Sequence, residues 1–224
     1  MCHRMAVWML AIVPLGTLLS SSLADEFDDE LARQDALERE IGAVNEGRLE
    51  FLLTPPPGPP IHHQHNRVLF ERDSLESGWV VMQQCHENLD AVASTEIVFH
   101  PDRVTDLRVD SHNNIGGIVV DGTRVQLENV GAGASLCISA RSHALHRHES
   151  GYILRNGPFM RRFLDGYYPL HVTMEVWWPA QDLRFVRASP QPQPGFNVIA
   201  GTDTLHLDTL FKGRLVTELR FEPA

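Results

Sequence analysis

The chain has 224 residues, a formal net charge of −10 at pH 7 and 43% hydrophobic residues. This length suffices for one domain with a sizeable core, or for one domain with an appendage. The negative charge argues against nucleic acid and anionic lipid as partners, because both would be repelled by the protein as a whole.

Residues 1–24 have the pattern of an export signal. Arg4 supplies the positive start, residues 6–19 form an apolar run, and Ser22-Leu23-Ala24 fits the small-x-small cleavage rule. The apolar run is shorter than the roughly 18–20 residues that span a bilayer. We therefore predict cleavage before Asp25, no membrane span after cleavage, and a periplasmic or secreted protein.

Residues 25–53 are predicted to be an acidic helical segment followed by a short strand. Residues 25–50 carry ten acidic side chains against three arginines. Acidic residues in the first turns favour a helix because they complement its dipole. An interrupted apolar stripe fits either a solvated helix or one that docks on a partner; its members are Phe27, Leu31, Leu37, Ile41 and Val44. A short strand is predicted from Leu49 to Leu53.

Residues 54–66 are predicted to be a Pro/His-rich linker. The run from Thr54 to Pro60 contains five prolines, and proline removes amide donors and fixes φ, so an extended polyproline conformation is expected. This places the start of the main domain at Arg67, and the domain is predicted to span residues 67–224.

The main domain has the pattern of an all-β protein. Short segments with period-2 alternation recur about every ten residues, and no long helix interrupts them. Asp121-Gly122 between two such segments predicts a two-residue hairpin loop. The predicted fold is mainly β, an antiparallel β-sandwich (immunoglobulin-like or similar) preceded by a short N-terminal helix. The predicted strands are Val68–Glu71, Trp79–His86, Glu96–His100, Leu107–Asp110, Ile118–Val120, Arg124–Leu127, Ser135–Arg141, Ala144–Arg147, Tyr152–Arg155, Leu170–Trp178, Leu183–Val186, Thr204–Leu207 and Leu215–Phe221.

Two cysteines, Cys85 and Cys137, remain after signal cleavage. In an oxidising compartment such a pair favours a disulfide over a redox or metal site, and no C-x-x-C spacing is present. Cys137 shares its strand face with Ser135 and Ser139, so the predicted bridge lies at the edge of the core.

Histidines form two local groups that suggest an alternative function. Alternation along a strand would place His63 and His65 on one face, and His146 and His148 on one face, which suits two-point coordination of copper or zinc. Neither group has the spacing of a known metal motif, so surface histidines are the simpler interpretation. The candidate ligands are His62, His63, His65, His143, His146 and His148.

The segment 156–169 contains the densest aromatic and arginine content of the chain. Arg and aromatic side chains concentrate at binding hot spots, so we interpret this segment as a partner-binding surface. The competing interpretation is a short helical turn that caps the core, with Asp165 paired to one arginine. The candidate binding residues are Phe159, Arg161, Arg162, Phe163, Tyr167 and Tyr168.

Catalytic signatures are missing from the sequence. It contains no Gly-x-Ser-x-Gly, no His-Glu-x-x-His and no phosphate-cradling glycine loop. The sequence therefore favours a non-enzymatic binding or accessory protein without a cofactor, acting through residues 156–169 on an envelope protein or peptide. The alternative is a periplasmic copper- or zinc-binding protein that uses the clustered histidines.

Overall fold

The structure is a computed structural model that describes residues 47–163 and 165–224. The predicted signal peptide and acidic helix lie outside the described residues. The described part is mainly β with predominantly antiparallel sheets, which confirms that part of the prediction. None of its helices has the length and apolar character needed to cross a bilayer.

Fifteen strands and one helical turn make up the described chain. In order they are β1 (Glu50–Phe51), β2 (His63–Leu69), α1 (Ser74–Ser77), β3 (Trp79–Leu89), β4 (Val92–Val98), β5 (Val104–Asp121), β6 (Arg124–His143), β7 (Leu145–His148), β8 (Gly151–Phe159), β9 (Arg161–Phe163), β10 (Gly166–Tyr168), β11 (Leu170–Trp177), β12 (Leu183–Ser189), β13 (Phe196–Ala200), β14 (Thr204–Lys212) and β15 (Leu215–Pro223).

The strands form three sheets. The nine-stranded sheet has the order β1-β14-β11-β2-β3-β6-β4, with β13 paired to β14 and β5 paired to β6. A four-stranded sheet has the order β12-β15-β8-β7, and β9 and β10 form a separate two-stranded sheet. The β2–β11 pair is parallel, with His63 opposite His171, and the other pairs of the nine-stranded sheet are antiparallel.

The larger hydrophobic core receives side chains from both main sheets. Leu154, Leu219 and Phe221 of the four-stranded sheet join Val172 and Leu207 of the nine-stranded sheet in one buried cluster. The alternation predicted for residues 170–178 is observed, since Leu170, Val172, Met174 and Val176 are all buried. Trp178 is also buried and donates its indole N–H to the carbonyl of Leu183.

The structure differs from the predicted linker at residues 63–66. These residues are not part of an extended linker but form the first half of β2, between β3 and β11. The sequence HQHNRVL alternates across the sheet like any strand. The sequence does not predict a strand here, because the core-facing positions in the first half of β2 carry polar side chains where apolar ones are expected.

The two longest strands combine segments that were predicted as separate. β5 contains predicted strands 107–110 and 118–120, and β6 contains 124–127 and 135–141. Register shifts interrupt the β5–β6 pairing at three places without ending it. The connecting loop is Gly122-Thr123, one residue later than predicted, since Asp121 pairs with Arg124. Gly122 supplies the positive φ of 56° that the tight turn requires.

Cys85 and Cys137 lie directly opposite each other on β3 and β6. Their Cα atoms are 4.0 Å apart, so the structure allows the predicted disulfide. Their neighbours in the strands, Gln84 and Ile138, point to the opposite, buried face. The bridge therefore belongs to the outer face of the nine-stranded sheet rather than to the core.

Candidate functional site

A cavity of about 550 Å³ lies between the buried face of the nine-stranded sheet and the segment 156–163. One end is lined by His62, Gln64, Gln84 and His86, and the rest of the lining combines apolar side chains such as Val68, Leu127 and Phe159 with polar and charged ones. Ligand pockets of this size combine an apolar lining with a few polar groups at defined positions. The cavity is therefore a candidate binding site.

The polar end of the cavity occupies positions where core residues are expected. Gln64 pairs with His86 and Asn66 pairs with Gln84, so the four side chains share the buried face of β2 and β3. Each of the four is at most 7% exposed. Farther along the same face, Val68 pairs with Met82. The face therefore changes from apolar to polar along the two strands.

Hydrogen bonds connect the polar side chains into two short chains, one through the imidazoles of His86 and His62 and one through Gln64 and Asn66. The Gln84 side-chain amide donates to His86 Nε2 at 2.7 Å, and His86 Nδ1 lies 2.9 Å from His62 Nε2. Because the Gln84 amide nitrogen donates to Nε2 of His86, the neutral His86 ring carries its proton on Nδ1 and donates it to His62. Gln64 donates to Asn66 Oδ1 at 3.0 Å, and Asn66 donates to the carbonyl of Thr173 at 3.2 Å.

Burial keeps the two imidazoles of this chain neutral. Desolvation by burial, together with the smaller effect of the adjacent His62, lowers the pKa of His86 to about 3. Desolvation also lowers the pKa of His62 to about 4, with the Arg161 charge as the second cause. The cause is general, since a buried cation loses its hydration. The polar end therefore offers uncharged donors and acceptors at neutral pH.

Arg161 links the cavity to the segment 156–169. Its guanidinium bonds both carboxylate oxygens of Asp90, at 3.0 and 2.5 Å, and donates to the carbonyl of Pro169 at 3.1 Å. The Arg161 side chain is 16% exposed and that of Asp90 is 36% exposed. A bidentate pair of this kind fixes geometry as well as charge. It holds β9 against the turn between β3 and β4.

The aromatic side chains of β9 and β10 pack around the two arginines. The Arg161 guanidinium lies 5.4 Å from the Tyr168 ring centroid and 5.7 Å from that of Phe163. The Arg162 guanidinium lies 5.6 Å from the Tyr167 ring, within cation–π range. Phe163 and Tyr168 contact each other edge to face with centroids 5.4 Å apart. The hairpin is therefore a pre-ordered cluster.

The six residues predicted to bind a partner divide into buried and accessible ones. Phe159 is 8% exposed and belongs to the core. Phe163 is 36% exposed, and the neighbouring Met160, which the sequence interpretation left out, is 43% exposed. The alternative of a helical turn is wrong, because residues 161–163 form a strand. Asp165 accepts a hydrogen bond from Tyr168 rather than pairing with an arginine.

The first histidine group is split between the two faces of the sheet. His62 lines the cavity, whereas His63 Nε2 and His65 Nδ1 each lie 2.8 Å from the Thr173 hydroxyl on the outer face. His171, which was not predicted as a ligand, stacks on His63 with ring centroids 4.3 Å apart.

The second histidine group lies at the other end of β3. His143 pairs with Trp79 at the start of β3, and His63 pairs with Glu87 near the end of β3. At 3.3 Å per residue, these two positions of β3 are roughly 26 Å apart, so the two histidine groups are well separated. His143 contacts His146, and His148 lies near Glu149. Across residues 47–163 and 165–224, no three His, Cys, Asp or Glu side chains converge in a geometry that could hold a metal ion.

The comparisons with known proteins returned no matching family model, no matching curated protein and no matching solved structure.

Proposed function

We propose that the protein is an exported, non-enzymatic binding protein of the cell envelope that engages a protein or peptide partner through residues 156–169. The observation that carries the proposal is the β9–β10 hairpin, where exposed Met160 and Phe163 stand beside an arginine–aromatic cluster. We also propose that the two main sheets form a two-layer antiparallel sandwich, as supported by their shared core.

The preformed order of the hairpin supports this role. Arg161 is fixed by Asp90 and Pro169, so the cluster needs little further ordering when a partner arrives. Side chains that are already ordered reduce the entropy cost of association. Phe163 and Met160 provide apolar contact area, and the exposed Arg162 provides charge. This combination is typical of hot spots.

The sheet edges of the hairpin indicate the kind of partner. Among the described strands, β9 and β10 pair only with each other, so both present an outer edge with unpaired backbone groups. An extended peptide can add to such an edge through main-chain hydrogen bonds. We therefore propose an extended segment with apolar side chains for Phe163 and Met160 and an acidic side chain for Arg162.

Replacing both Met160 and Phe163 by alanine is expected to abolish a partner that is crosslinked to the wild-type protein in cells. Hot-spot truncations cost about 2 kcal/mol or more each, which is over tenfold in affinity. Both side chains are partly exposed, so the free energy of unfolding should fall by only about 1–2 kcal/mol, mainly through the lost contacts of Phe163 with Tyr168 and Arg161. Urea denaturation checks the fold, and the crosslinked product is assayed on a gel.

Two control variants test whether the loss of the crosslinked product is specific to Met160 and Phe163. Ile199→Ala removes another exposed apolar side chain, on β13, and should leave the crosslinked product intact. Phe159→Ala should unfold more easily by about 3–5 kcal/mol, because its ring is in the core. Unfolding of the Met160/Phe163 variant would instead show that the cluster is core, and the proposal would lose its basis.

Metal binding by His62, His63, His65, His143, His146 and His148 is the second candidate. The observation in its favour is that His63, His65 and His171 lie around Thr173 on one face. The leading proposal predicts less than one tenth of an equivalent of copper plus zinc in untagged protein purified from the periplasm. About one equivalent, lost in a His63→Ala/His65→Ala variant, would favour the metal function instead.

A further inference from the structure

The buried polar residues of the cavity have an energetic cost that packing does not offset. Gln64, Asn66, Gln84 and His86 occupy the core-facing positions of two central strands. Burying an amide without full hydrogen bonding costs roughly 1–3 kcal/mol on the protein scale. Apolar residues continue the same face, for example Val68 and Leu136, so the polar stretch is a local departure from an otherwise apolar layer.

These side chains satisfy one another only in part. The amide nitrogens of Gln64 and Gln84 have partners in Asn66 and His86. Their side-chain oxygens accept no hydrogen bond from the described residues, and both residues line the cavity. The two oxygens are accessible from the cavity, where an acceptor is normally satisfied by a water or a ligand. Two acceptors therefore face an open volume of about 550 Å³.

Charge at this end of the cavity is balanced. Arg161 and Asp90 neutralise each other in a bidentate pair beside His62. Arg103 and Arg162 also line the cavity, but both are exposed to solvent. A charged head placed beside Gln64 and Gln84 would therefore lose hydration without gaining a buried, unpaired counter-charge, which is costly. An uncharged ligand with hydrogen-bonding groups avoids that cost. The apolar part of the wall includes Val68, Leu127 and Phe159 and suits an apolar body.

The cavity communicates with solvent beside the hairpin. Three large hydrophobic residues of its lining are exposed at the surface, namely Val98 at 57%, Met160 at 43% and Phe163 at 36%. A small molecule can therefore enter between β4 and β9 without unfolding of the sheets. Arg161 and Asp90 also line the cavity, and both lie close enough to His62 to influence its charge state.

We propose that the cavity binds an uncharged small molecule with an amide- or hydroxyl-bearing head and an apolar body. The head donates to the side-chain oxygens of Gln64 and Gln84, and the body contacts Val68 and Leu127. This inference stands independently of the partner proposed for residues 156–169. A protein could bind such a molecule without engaging any partner through the hairpin, and the reverse also holds.

A matched series of probes tests the proposal on the full mature chain at pH 7.5. The probes are octanamide, octanoate and octylammonium, which share one apolar body and differ in the charge of the head. We expect saturable octanamide binding with a Kd on the order of 0.1–1 mM, measured by NMR titration. Binding of the two charged probes should be at least tenfold weaker.

Variants on one strand locate the site. Gln84→Leu should weaken octanamide binding about fivefold or more, whereas Gln83→Leu, on the opposite face of β3, should change it less than twofold. Gln64→Leu is the second variant should Gln84→Leu fail to fold. In the wild-type protein, octanamide should shift the side-chain amide signals of Gln64 and Gln84.

Three outcomes would overturn the proposal. They are the absence of saturable octanamide binding, equal binding of the charged probes, and signal shifts confined to residues outside the cavity. The Gln84→Leu variant separates this proposal from the proposed partner function, because Gln84 lies outside residues 156–169. It should weaken octanamide binding and still give the crosslinked partner.

Discussion

Lowering the pH from 6.5 to 4.5 is expected to reduce the free energy of unfolding by on the order of 5 kcal/mol. The folded-state pKa of His62 is lowered to about 4 and that of His86 to about 3, whereas an unfolded histidine titrates near 6.5. Below pH 6.5 the unfolded chain therefore binds more protons than the folded chain, and stability decreases as the pH falls. Each histidine contributes roughly 1.4 kcal/mol per pH unit in this window.

Urea denaturation at pH 6.5, 5.5 and 4.5 measures this dependence. The pKa values of His63, His65 and His146 are also lowered by burial, so they contribute in the same direction. His86→Gln isolates the largest contribution, because the variant cannot take up that proton. Its slope against pH should be clearly smaller than the wild-type slope. A wild-type midpoint that is constant from pH 6.5 to 4.5 would show that these imidazoles are not buried as described.

Removing the predicted bridge by Cys85→Ser is expected to lower the free energy of unfolding by about 4 kcal/mol. The cysteines are 52 residues apart, and the chain-entropy model gives about this value for a loop of that length. Such a loss is a large share of the 5–15 kcal/mol typical of a domain. The melting temperature should fall by several degrees, and the protein should become sensitive to proteases.

Thiol labelling of the protein under denaturing, non-reducing conditions, with the labelled positions identified by mass, tests the premise. Neither Cys85 nor Cys137 is expected to be labelled, and labelling of both would contradict the bridge. Ser139→Ala is a useful comparison for the serine variant, because Ser139 lies on the same outer face two residues from Cys137. It should cost far less than Cys85→Ser, since it removes a hydrogen bond to Asp110 but no cross-link.

Most strands could be predicted from the sequence because their alternation is regular. Residues 170–178 are the clearest example, with Leu170, Val172, Met174 and Val176 all buried. The strand 196–200 was missed, since it follows a proline-rich loop and only Phe196 is fully buried. The sequence predicts two separate strands in place of β5 and two in place of β6, because clusters of glycine and asparagine normally end a strand. In the structure these clusters produce register shifts instead.

The cavity could not be recognised at the sequence level for a related reason. Gln64 and Asn66 were assigned to a linker, since the apolar pattern of β2 begins only at Val68. On β3, Val80, Met82, Gln84 and His86 share one face. This change from apolar to polar side chains along the core-facing side of β3 is the feature of the sequence that could have indicated the cavity. Its pairing with a second polar strand depends on the sheet order, which alternation alone does not specify.

The structure keeps part of the predicted partner surface but shows contacts of its residues that the sequence does not predict. The arginine–aromatic cluster was visible in composition, but the pairing of Arg161 with Asp90 joins residues 71 positions apart. Contacts of that separation follow from tertiary structure rather than local pattern. The consequence is practical: Arg161→Ala would leave Asp90 without its partner, so Met160 and Phe163 are better test positions.

Site-specific photo-crosslinking in cells tests the proposed binding function most directly. A photoreactive phenylalanine analogue is placed at Phe163 in one variant and at Ile199 in another, and both sites are exposed. The proposal predicts a discrete crosslinked product from position 163 that is absent from position 199 and is weakened by Arg162→Ala. Identical product patterns from the two positions, or no product from position 163 in the folded protein, would contradict it.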